Sequence, residues 1–237
     1  MTAPPRPTVA ATAALLQLAD GRFPTGAHAH SAGMEEAVAD GRVADLDDLD
    51  RFLVGRLWTV GLVEAAVAAA ACLEARRPSP GWAGLDAEAA ARCPSEVLRR
   101  VGRTLGRGLL RTAALAWPGP WVDHLRHAVP TGALAPVVLG AAARAAGLDP
   151  PAAALLGAHG SVGAPAGAAV RLLGLDPFAV AALLAGLAPP IDDVAARAAA
   201  RASDLDPDWS GLPAPSALLC DVGAQRHAAW EVRLFAS

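Results

Sequence analysis

The chain has no tyrosine, no lysine and a single isoleucine, and each shortage excludes something. Aromatic residues make up only 4% of it, while hydrophobic residues make up 54%, an excess that is mostly alanine. Strands therefore lack tyrosine, nearly all isoleucine and most of their usual aromatic formers, and alanine favours helix. Without lysine there can be no Walker A loop, whose lysine reaches the β/γ-phosphates, and no Schiff-base chemistry. All 20 basic residues are arginine. The three cysteines, Cys72, Cys93 and Cys220, are odd in number and far apart, with no Cys-x-x-Cys pair. They read as buried thiols in a reducing, cytoplasmic setting rather than as a disulfide or zinc framework. A net charge of −3 and a pI near 6.0 give no nucleic-acid footprint. The opening MTAPPRPTVA lacks the apolar core of a signal peptide. Charge is also missing from Pro150 to Val170, a stretch long enough for a bilayer. Its glycines, Pro165, His159 and Ser161 suit a buried pair of short helices better, and no membrane span is expected.

What remains is an all-α pattern for a single-domain bundle of about ten helices. Residues 1–9 are Pro-rich and expected to be disordered, residues 10–215 form the helical domain, and residues 216–237 form a mixed tail. Helices are expected from about Val9 to Ala19, from His28 to Asp40, and from Asp45 to Arg76, where Phe52, Leu57, Val60, Val63 and Val67 mark a core stripe. Residues 77–86, with two prolines and two glycines, read as a linker. Helix resumes through Glu88–Ala116 with a break near Cys93-Pro94. Shorter helices follow at 121–127, 134–146, 152–163, 166–173, 178–187 and 191–202. The tail places Trp230, Leu234 and Phe235 among Arg226, His227, Glu231 and Arg233, an apolar, arginine-bearing segment suited to docking. The segment can dock on a partner or on its own domain.

Candidate chemistry concentrates in Leu15–Val38, LLQLADGRFPTGAHAHSAGMEEAV. His28-x-His30, with Asp20 and Glu35 nearby, could supply part of a metal site for a hydrolase or a nickel-binding protein. The same histidines could simply brace a helix start. Asp123-His124-x-x-His127 and His159 lack partner ligands in sequence, and Gly160-Ser161-x-Gly163 falls short of a nucleophile elbow. The acidic pairs Glu35-Glu36, Asp47-Asp48 and Asp192-Asp193 suit helix starts or exposed faces. No enzyme signature and no cofactor site emerges.

The Leu15–Val38 block resembles the N-terminal signature of the UreF-type urease accessory proteins, through Leu16, Gln17, Leu18, Pro24, Gly26, His30, Ser31, Gly33, Met34 and Glu35. Ordered matches follow at LGRGLLR (105–111), PVVLGAAARAAGL (136–148), AAVRLLGLD (168–176) and RHAAWEVRLFAS (226–237). The resemblance implies a non-catalytic, homodimeric scaffold that joins the accessory protein UreD (also called UreH), recruits the GTPase UreG and serves nickel delivery to apo-urease. It also implies that Arg226, His227, Trp230, Arg233, Leu234 and Phe235 contact UreD. Gln17, Glu35 and Arg171 would lie on a GTPase-facing or dimer-associated surface.

Overall fold

The computed structural model describes residues 9–235, the side chains of Val9, Ala10 and His28 excepted. The expected disordered segment, 1–9, thus falls outside the described residues except for Val9, which opens the first helix. Among the described residues there are twelve α-helices and no strand. They are α1 (Val9–Ala19), α2 (Met34–Ala39), α3 (Leu46–Arg56), α4 (Leu62–Glu74), α5 (Trp82–Ala91), α6 (Glu96–Ala116), α7 (Trp121–Ala128), α8 (Ala135–Ala145), α9 (Pro150–Leu173), α10 (Pro177–Gly186), α11 (Ala188–Leu205) and α12 (Leu218–Ala228).

Helix α3 starts where the sequence says it should. Asp45 caps it by accepting the Asp48 N–H at 2.9 Å, and Asp48 accepts the Ala44 N–H in return. It runs into α4 through one π-turn, Leu57–Gly61. That turn rotates the buried face, because a π-turn adds a residue to the local repeat. The core stripe is therefore Leu49, Leu53 and Leu57 before the turn and Ala65–Cys72 after it. Of the expected stripe, Leu57 and Val67 are buried, while Phe52, Val60 and Val63 are only half-buried.

Helix α4 is the centre of the molecule, packed by α8, α9 and α11. Every residue from Ala65 to Cys72 is buried. A β-carbon at Gly140 of α8 would run into the Ala68 carbonyl, and one at Gly157 of α9 would lie 2.9 Å from the Ala65 Cα. The helices thus meet backbone to backbone, at a separation that only alanine and glycine allow. The run Leu46–Glu74 is long and apolar enough to cross a membrane, but 72% of its apolar window is buried inside the chain.

Three expectations are corrected. The helix expected from His28 to Asp40 begins only at Met34, because Ala32 and Gly33 adopt left-handed backbone that no helix can include. Residues 77–86 are not a linker throughout. Helix α5 begins at Trp82, which is buried with Leu85, so these apolar side chains override the local proline and glycine signals. Residues 150–173 form one 24-residue helix and not two. Proline interrupts a helix because it cannot donate to the carbonyl four residues back. For Pro165 that carbonyl belongs to Ser161, and Arg56 Nε donates to it at 2.9 Å. An arginine beside the π-turn replaces the missing helical donor.

Arg56→Met is expected to lower unfolding stability by about 1–3 kcal/mol, the cost of stranding a buried acceptor. In a Pro165→Ala background, where the helix supplies its own N–H, the loss should shrink by about 1 kcal/mol or more. Denaturant unfolding of the double-mutant cycle measures this, and additive losses would refute the repair.

Candidate partner-docking site

The segment between α1 and α2 is a sequence of tight turns. Gly26 adopts a left-handed conformation ahead of the short 3-10 turn Ala27–Ala29, and Ala32 and Gly33 adopt it consecutively just before α2. Left-handed backbone costs glycine little, which accounts for both glycines of the signature. The turn launches α2 with Glu35 and Glu36 in its first turn, next to its positive dipole end. Both carboxylates are buried, 6% and 4% exposed, so the pair does not lie on the solvent face that is usual for such acids.

Glu35 gathers the far end of the chain. Its carboxylate accepts a hydrogen bond from His227 Nε2 at 2.7 Å, from the Leu234 N–H at 2.7 Å and from the Phe235 N–H at 3.1 Å. Burial pushes this carboxyl up, but the Leu234, His227 and Phe235 donors together outweigh it and hold the group below the ordinary glutamate range. The Phe235 ring is buried under the Arg171 guanidinium, 4.5 Å from its centroid, and the His227 and Trp230 rings lie 4.8 Å apart. Glu36 pairs with Arg42 and, at 3.7 Å, with Arg226, which also reaches Asp40. Helix α12 can lie this close because position 223 is glycine; a β-carbon there would collide with the Glu36 carboxylate.

The structure thus brings together Glu35, Arg171, Arg226, His227, Trp230, Leu234 and Phe235. Gln17 is exposed on α1 and Arg233 is exposed on the tail, and neither joins the carboxylate. The tail is docked on its own domain: α12 packs on α2, and His227 and Phe235 turn inward. Its outward apolar side chains are instead Leu218 (68% exposed), Leu219, Val222, Val232 and Leu234 (78%). Sequence reasoning missed Glu36, Gly223 and the exposed face of α12. The only signal was the acidic pair itself, beside a short helix with no basic partner in its own last turn.

The other candidates are dispersed. The His28 side chain lies outside the described residues, and His30 is half-buried at the edge of an apolar groove of about 320 Å³. Asp20 is held by Arg22, whose hydrogen bonds bring its carboxyl down to about 2. Among the described residues no group of three or more His, Cys, Asp or Glu side chains could hold a metal ion. His124, His127 and His159 are exposed. Burial pushes the Cys72 and Cys93 thiols up to about 11, leaving them protonated and poor nucleophiles.

Replacing Glu35 with alanine removes the acceptor of three donors. Hydrogen exchange at Leu234 and Phe235 is expected to accelerate by about tenfold or more, the equivalent of about 1–3 kcal/mol, while α4, α8 and α9 keep their protection. The pH dependence has a definite sign. The Glu35 carboxyl is depressed in the folded chain, so its stabilisation is complete above the ordinary value of 4.5 and is lost as pH falls through the lower folded value. The tail should therefore loosen in acid before the bundle does, and Trp230 fluorescence against pH follows it.

Comparison with known proteins places the chain in a family. The family model described as UreF matches residues 43–188, more than half of the chain. The urease accessory protein UreF of Mycobacterium sp. (strain JLS) is 45% identical over 224 residues, covering 94% of this chain and 97% of the relative. That of Mycolicibacterium vanbaalenii is 44% identical over 226 residues, with 95% and 98% covered. That of Mycobacterium marinum is 42% identical over 226 residues, again with 95% and 98% covered. The chain belongs to the UreF family of urease accessory proteins.

Proposed function

We propose that this chain is a non-catalytic scaffold of urease maturation in the cytoplasm, one that binds UreD through α12 and the tail and recruits the GTPase UreG for nickel delivery to apo-urease. The observation that carries the reading is the number of exposed aliphatic side chains on α12 and the segment after it, Leu218, Leu219, Val222, Val232 and Leu234, the last of which Glu35 holds by its backbone. Large aliphatic side chains exposed together mark an interaction surface. Phe235 and His227 support that surface from inside, so the anchoring contacts with UreD fall to Leu234 and Val232, with Arg226, Arg233 and Trp230 at the edge. Glu35 and Arg171 act on partners through the tail they position, whereas Gln17, exposed on α1, is free of that task and suits the GTPase-facing or dimer-associated surface. A lysine-free chain has no phosphate loop of its own, which leaves GTP chemistry to the partner. The scaffold acts as a homodimer in this reading, without nucleic acid or membrane.

Truncation before Ala224 should leave most of the helical content intact and abolish capture of UreD, and with it the UreD-dependent recovery of UreG. The double substitution Val232→Asp, Leu234→Asp keeps the clasp residues and should weaken UreD binding by about tenfold or more, as expected for central apolar anchors. Calorimetry with purified UreD measures it. Undiminished binding by both variants would overturn the assignment of the tail.

A further inference from the structure

Helix α6 carries arginines at 99, 103, 107 and 111, spaced four apart along one slowly winding face. The first two are tied down. Arg99 donates to the Cys93 and Pro94 carbonyls, and Arg103 pairs with Asp86 at 2.9 Å. The second two have no carboxylate partner among the described residues. Arg107 lies across Gly132, where a β-carbon would approach its Cγ at 3.0 Å, and donates to the Thr131 carbonyl at 3.2 Å and to Thr104 Oγ at 3.0 Å. The Arg111 side chain makes no hydrogen bond among the described residues. Arg126 of α7 faces them, paired only loosely with the solvent-exposed Asp123 at 3.6 Å.

These three arginines line a pocket of about 270 Å³ together with the buried Leu110, Leu125 and Val129. On a chain of net charge −3, this is a local cationic cluster beside an apolar seat. We propose that it is a docking site for an acidic segment of a partner protein, in which one apolar side chain enters the pocket and flanking carboxylates pair with Arg107, Arg111 and Arg126. A helix, about 10 Å across with its side chains, does not fit so small a space, whereas a single side chain does. Guanidinium forks match carboxylates in two-point geometry, and pairing at the rim of an apolar seat steers and orients more than it binds. A bare phosphate would leave the apolar lining unused. Single-stranded nucleic acid would want aromatic platforms, and none lines the pocket. The site lies toward the C-terminal end of α6 and on α7, whereas Gln225 of α12 reaches the opposite end of α6, at its cap Ser95.

The probe is a short fluorescein-labelled peptide with phenylalanine between runs of glutamate, titrated with the full chain by fluorescence anisotropy. Saturable binding that weakens on raising the salt is expected. Arg107→Gln with Arg111→Gln should weaken it by about tenfold or more, from the loss of two charge-assisted pairs. Arg111→Glu alone, which breaks no internal hydrogen bond, should weaken it without changing the melting temperature. Replacing the peptide's phenylalanine with serine should weaken it too, and Arg197→Gln, on the distant α11, should not. No saturable binding, or binding indifferent to the Arg107 and Arg111 changes, would overturn the proposal. So would pyrophosphate or an oligothymidylate that binds these arginines more tightly than the peptide does.

Discussion

The bundle depends on a steric constraint at its centre. Helix α4 is enclosed by α8, α9 and α11, and the enclosing backbones approach so closely that a β-carbon at Gly140 or Gly157 has no room. Alanine contributes little apolar area per residue, so this core gains its cohesion from dense contact and not from large side chains. Such packing fixes the positions of neighbouring helices tightly. It also leaves the polar adjustments around the core to a few long side chains reaching from helix to helix.

Two of those adjustments shape the rest. Arg56 supplies the donor that Pro165 cannot, and α9 stays a single rod across the whole bundle. The end of that rod carries Arg171 to the Phe235 ring. Glu35 then holds the tail against α2 with three hydrogen bonds to one buried carboxylate. A carboxylate buried among that many donors is well solvated by the protein and keeps its charge. The exposed leucines and valines of α12 and the tail are thereby offered on a rigid frame.

The sequence shows helices well and their burial poorly. Alanine-rich segments such as α4 and α9 carry almost no contrast between faces, so the helical class is plain but the inward side is not. The Asp45 cap of α3 is local and readable. The repair of Pro165 is not, because its donor lies on another helix. The linker reading of 77–86 failed because Trp82 and Leu85 answer to the core rather than to nearby prolines. Within the candidate site, Glu35 and the tail residues stood out through their family pattern. Glu36 and Gly223 did not, since their fit depends on two helices that are remote in sequence.

The Glu35 clasp joins residues 199 and 200 positions apart in sequence. A contact of such long range closes an enormous loop, and its entropic cost is met only when the intervening helices already hold the two ends near each other. The clasp therefore presupposes a bundle that holds both ends in place. The clasped tail is in effect a report on the completed bundle, since a chain whose helices are misassembled cannot bring these two ends together.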